Sequence, residues 1–110
     1  MAKRESLGEF EHLVLLAIIR HDSSGFGLTI RDDIAERTGR DIATGAVYTT
    51  LDRLEQKGFV RSNVEQGTVE RDNRRRRRYT ITKSGLGAVN DTQSALAQMS
   101  RGLRLTWSEK

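Results

Sequence analysis

Five arginines stand in unbroken succession from Arg74 to Arg78, and Arg71 lies just before them. Guanidinium groups crowded in this way repel one another, and an anionic partner relieves that cost. Phosphate suits them. Arg offers it a planar fork of donors, and neutralising a nucleic-acid backbone releases counterions. A disordered basic tract or a nuclear localisation signal would look similar. Neither explains Tyr79-Thr-Ile-Thr82, which follows at once and alternates like a strand. Neighbours on a strand point to opposite faces. Arg74 and Arg75 are therefore expected at a loop tip, and Arg76 and Arg78 on an exposed strand face. Arg77 is expected to reach out along apolar surface at the strand edge.

A second candidate set lies between Thr44 and Lys57. On a helical wheel Val47, Leu51 and Leu54 share one side, and Gly45, Thr49, Arg53 and Gln56 lie opposite. Ala46 and Thr50 flank the polar side, with Tyr48 near one boundary. The polar face is small at its start, at Thr44, Gly45 and Ala46, so the helix can approach a groove closely. Arg53 suits guanine or a phosphate, and the hydroxyls of Thr49 and Thr50 suit either. The competing reading is the solvated face of an ordinary amphipathic helix.

Other reactive residue types form no set. His12 and His21 are nine positions apart, with no nucleophile or metal group matched to them. Asp32 and Asp33 are neighbours on a helix and point to different sides, so they are no acid–base pair. Ser23 and Ser24 fall in a turn. There is no cysteine, which excludes disulfides and thiol chemistry. No catalytic residue, cofactor or metal is expected.

These candidates need elements to hold them. Leu7 to Arg20 reads as a first helix, apolar nearly all round, with Phe10, Leu13, Val14 and Ile18 at helical spacing. In so small a chain, that suggests a partner subunit covers its second face. His21 to Gly27 is a turn by composition. Leu28 to Arg37 is a second helix, stopped at Thr38-Gly39. Thr44 is a natural N-cap for a third helix, Gly45 to Lys57, with Gly58 as its C′ residue. Phe59 to Val64 and Arg76 to Thr82 read as a hairpin joined by a long loop, Glu65 to Arg75, whose tip is expected to be mobile. Thr82 caps a last helix from Lys83. Leu86, Val89, Leu96 and Leu103 form one stripe on it, and Met99 belongs to a second.

The order helix, helix, turn, helix, hairpin, helix is that of a winged helix-turn-helix, whose third helix enters the DNA major groove. The expected fold class is mostly α with a small β-hairpin (α+β). Residues 1–82 form the DNA-binding unit, 83–105 a dimerisation helix and 106–110 a tail.

Three stretches carry a family resemblance. They are Gly25-Phe-Gly-Leu-Thr-Ile30, Thr44 to Val60, and Arg76-Arg-Arg-Tyr-Thr-Ile-Thr-Lys-Ser-Gly85. In order and spacing the chain resembles the PadR family of bacterial transcriptional regulators, in its subgroup with a short C-terminal helix. The resemblance implies a winged-helix homodimer joined through the first and last helices, placing Leu7, Phe10, Leu86, Val89, Leu96, Met99 and Leu103 at the interface. It also implies that Tyr48 touches the DNA backbone or packs at the groove edge, and that the output is repression. A small-molecule effector would sit at the dimer interface.

Composition agrees with a nucleic-acid partner. The 110 residues carry 19 Lys and Arg against 15 Asp and Glu, a formal charge of +4. The length fits one domain with one modest core. The N-terminus has no apolar core of a signal peptide, and the longest apolar run, Leu13 to Ile19, is too short for a membrane span. A soluble, cytoplasmic protein with no membrane partner is expected, and its partner is double-stranded DNA. Three other readings stay open: a winged-helix protein-interaction module, a non-specific architectural nucleic-acid binder, and an RNA binder. The last would want stacking aromatics, whereas Phe10, Phe26, Tyr48, Phe59 and Tyr79 look like core or groove-edge residues.

Overall fold

Glu9 and Glu11 open the first helix and Arg20 closes it, so each end carries the charge its dipole favours. This helix is α1 (Glu9–Arg20), and extended Gly8 precedes it, donating its N–H to Glu11 Oε1 at 2.7 Å. The computed structural model describes residues 6–69 and 75–107, without the side chains of 66–69, 75 and 76. Val14, Leu15 and Ile18 of α1 are fully buried, while Leu7, Phe10, Leu13, Leu16 and Ile19 are only partly covered.

Asp22 and Ser23 adopt positive φ (57° and 69°) and turn the chain out of α1. The segment expected as a plain turn then contains a strand, β1 (Ser24–Phe26). Its partner is distant in sequence, so local composition does not reveal it. Next come α2 (Gly27–Thr38), ended by left-handed Gly39, and α3 (Thr44–Gln56). The connector is fixed by Arg31 Nε, which donates to the Ile42 carbonyl at 2.8 Å, and by the burial of Ile42.

Ala43, not Thr44, occupies the N-cap position of α3 and supplies no side-chain bond; Thr44 is the first helical residue. The exit from α3 follows expectation. Gly58 has φ 80°, its N–H donates to the Glu55 carbonyl, and the Phe59 N–H donates to the Leu54 carbonyl. This is a Schellman motif, which satisfies carbonyls at the helix end and needs a residue at ease in left-handed geometry.

Two longer strands follow, β2 (Val60–Val69) and β3 (Arg75–Ile81). The sheet has three antiparallel strands in the order β1-β3-β2, not the two of a simple hairpin. Its register shifts between Val64 and Val69. β2 extends past the expected Val64, and the tip of the loop, 70–74, lies outside the described residues. Val60 and Tyr79 put the sheet into the core beside Val47, Leu51 and Leu54 of α3.

The last helix, α4 (Lys83–Ser100), is capped as expected. Thr82 Oγ1 accepts from the Gly85 N–H at 3.0 Å and donates to the Gly58 carbonyl at 2.7 Å. A Cβ at Gly85 would stand 2.2 Å from the Phe59 carbonyl oxygen, so glycine here permits close docking rather than merely weakening the helix. Beyond Val89 most α4 side chains are exposed. The helix ends at Ser100, short of the expected 105, because Arg101 turns to extended backbone and Gly102 to φ 81°.

Candidate nucleic-acid interface

Thr44, Gly45, Ala46, Thr49 and Arg53 are all exposed on α3. Their side is free because Val47, Leu51 and Leu54 hold the opposite side at 0% exposure. Thr50 is different. It lies one step from Leu54 round the helix and is 5% exposed, so it is a core residue, not a DNA contact.

Tyr48 is half-buried, and its position depends on α2. A Cβ on Gly27 would lie 2.5 to 2.8 Å from three Tyr48 ring and hydroxyl atoms. Glycine at the start of α2 therefore makes room for the tyrosine of α3, which accounts physically for the second glycine of the Gly25-Phe-Gly27 stretch.

Arg53 borders a charged group that spacing alone does not reveal. Glu11 is 4% exposed, and both its oxygens accept from Lys57 Nζ at 3.0 Å. Arg53 Nη1 stands 4.0 Å from Glu11 Oε2. Burial alone would push the Glu11 carboxyl up. The Gly8 N–H, Lys57 and Arg53 outweigh burial and hold it below the usual carboxylate range. Nearby, Arg40 of the connector grips Glu9 through its two terminal guanidinium nitrogens, at 3.2 and 2.7 Å. The four residues Glu9, Glu11, Arg40 and Lys57 escape a sequence reading, since their partners are 31 and 46 positions apart.

The arginine run divides. Arg74 lies outside the described residues, as do the side chains of Arg75 and Arg76. Arg77 is exposed on the β3 face shared with Tyr79, and donates to Ser62 Oγ at 3.0 Å. Ser62 in turn donates to Glu55 of α3 at 2.8 Å. Arg78 was expected to stand open to solvent, but it is half-buried and occupied. Its guanidinium lies 4.5 Å over the Phe26 ring and donates to Ser24 Oγ and Glu65 Oε1, both at 3.1 Å. It pins β1, β3 and β2 together, because Phe26 stands opposite it in the register.

The expected interface residues of α1 and α4 also divide. Leu86, Leu96, Met99 and Leu103 are exposed by 44%, 58%, 78% and 62%. Leu7 and Phe10 are partly covered. Val89 is 4% exposed within its own core and has no surface left for a partner. Between these helices His12 Nε2 pairs with Gln93 Oε1 at 2.7 Å, and His12 Nδ1 is buried without a partner. Among the described residues no group of three or more acidic or histidine side chains is placed to hold a metal ion. None of the described helices is long and apolar enough to cross a membrane.

A helix-turn-helix with an exposed second helix, flanked by a basic two-stranded wing, defines a winged-helix DNA-binding transcriptional regulator. Comparison with known proteins agrees. The transcriptional regulator PadR-like family matches residues 15–91. The transcriptional regulator Rv3488 of Mycobacterium tuberculosis is 34% identical over 90 residues, covering 80% of this chain and 79% of that protein. Two solved structures share the fold. One is F93 from STIV, a winged-helix DNA-binding protein, with TM-score 0.69 at 15% identity over 91% of this chain and all of that one. The other is a PadR-like transcriptional regulator from Bacillus cereus, with TM-score 0.65 at 16% identity over 83% and 84% of the two chains. The chain belongs to the PadR-like family of transcriptional regulators, and it is not an enzyme.

Proposed function

We propose that the chain is a sequence-specific repressor that binds an inverted-repeat operator in double-stranded DNA as a homodimer. One observation carries this reading: the start of α3 is bare and exposed, with Thr49 and Arg53 beyond it, and the last turn of the same helix reaches Arg77 of the wing through Glu55 and Ser62. No side chain caps α3, so the amides of Thr44 and Gly45 at its start can meet a phosphate. Thr49 and Arg53 read base edges, Tyr48 packs at the groove edge, and Arg74 to Arg77 reach phosphates or the minor groove. Residues 1–82 serve DNA binding and the segment from 83 serves dimerisation. The exposed Leu86, Leu96, Met99 and Leu103, with Leu7 just before α1 and Phe10 on it, supply the apolar surface for a second copy. A small-molecule effector would lie between α1 and α4 of the dimer, near the polar pair His12 and Gln93. Repression follows from blocking polymerase at the operator in the cytoplasm.

The test is selection from a random duplex library by the purified protein at near-physiological salt. The expected result is an inverted repeat with half-site centres about 34 Å apart. Binding without enrichment would favour a non-specific architectural role. Failure to retain any duplex would overturn the reading.

A further inference from the structure

Lys57 follows the last turn of α3, one turn beyond exposed Arg53, yet both of its short contacts to charge go to Glu11, and its remaining bond goes to the Ser6 carbonyl at 3.2 Å. That carboxylate cannot follow the lysine outward. It is buried in α1 and tied by the Gly8 N–H at 2.7 Å. The Lys57 side chain is itself 17% exposed, so the pair is shielded from salt. Drawing Lys57 onto a phosphate would leave a buried carboxylate without its nearest opposite charge, which is strongly unfavourable. Arg53 stands at 4.0 Å on the same carboxylate with its side chain 54% exposed, so it is steered but not captured.

We infer that Glu11 is a specificity-determining residue for DNA recognition: it withholds Lys57 from phosphates and orients Arg53 toward the groove, lowering sequence-independent attraction relative to base readout. The inference rests on the proposed DNA binding. The physical ground is counterion release. A cation already neutralised within the protein adds nothing to the salt-dependent term, which is common to every sequence. Non-specific binding consists almost wholly of that term, so silencing one cation per protomer weakens it most. An arginine aimed by a fixed carboxylate loses less freedom on meeting a base.

The test compares the wild-type protein with Glu11→Gln, which keeps the shape and an acceptor for Gly8 but removes the charge. Affinities are measured for the selected operator and for a scrambled duplex from about 50 to 200 mM salt, the range over which phosphate contacts dominate. Glu11→Gln is expected to bind scrambled DNA several-fold more tightly. Its log–log salt slope should steepen by about 0.9 per protomer as Lys57 is released. The ratio of operator to scrambled affinity should fall. Lys57→Gln in the wild-type background should leave the slope unchanged, an expectation that can fail even if Glu11→Gln does not fold. A slope that becomes shallower in Lys57→Gln would show Lys57 already on a phosphate and overturn the inference. So would a folded Glu11→Gln protein with wild-type slope and wild-type ratio. Absence of binding by the wild-type protein to either duplex is a different failure, that of the DNA-binding reading itself.

Discussion

Above Gly45 there is open space, and no backbone strain reserves the position for glycine. Alanine would fit and would, if anything, favour the helix by up to about 1 kcal/mol. The fold therefore gives no reason for glycine there, while close approach to DNA does. Gly45→Ala is expected to match the wild-type melting temperature or exceed it, yet to bind the operator at least several-fold more weakly in a fluorescence titration. Equal affinity would remove Gly45 from the contact face. The exposed side of α3 is legible in sequence because wheel position follows from helical spacing alone. Thr50 is not, since a wheel does not tell how far neighbouring elements wrap around the helix. Arg78 shows the same gap across 54 positions to Ser24. The two wing arginines should consequently separate. Arg78→Ala is expected to lower stability by about 1 kcal/mol, from lost cation–π and hydrogen-bond contacts, with the salt slope of DNA binding unchanged. Arg77→Ala should spare stability and make the slope shallower by about 0.9 per protomer.

The elements are held in register by polar contacts as much as by apolar ones. The start of α1 is tied to α3 by Glu11, whose folded pKa lies below its ordinary 4.5 despite burial. A depressed carboxylate stabilises the fold fully above its unfolded value, and that contribution is lost as pH falls through the lower folded value. Urea midpoints should therefore decline as pH drops below about 4.5, and Glu11→Gln should show a smaller decline than the wild type. Glu9 is shifted the same way by its bond to Arg40 and by that charge, but it is exposed to solvent and adds little. Helix count, order and the caps at Gly58 and Thr82 are legible because each signal is local. The strand Ser24–Phe26 is not, because only pairing with β3 makes it a strand. The end of α4 at Ser100 is missed for another reason: the seven-residue apolar spacing from Leu96 runs on to Leu103 after the backbone has left the helix.

At the scale of the whole molecule, the exposed apolar stripe of α4 should decide assembly. Leu96→Asp with Met99→Asp is expected to sediment as a monomer, and the wild type as the proposed dimer. Its melting temperature at low concentration should barely change, because both side chains are exposed by more than half in the single protomer. A dimer that persists would exclude this stripe from the interface. The distal half of α4 ties this assembly to abundance. Most of its side chains are exposed in the single protomer, and a helical overhang of this length is marginal in water by itself. Its amides should exchange hydrogen freely in dilute protein and become protected as copies meet. In the proposed dimer, operator occupancy at low abundance rises with the square of protomer concentration, so doubling expression raises it about fourfold. Copy number then acts as a signal that the regulator reads by mass action, with or without a ligand.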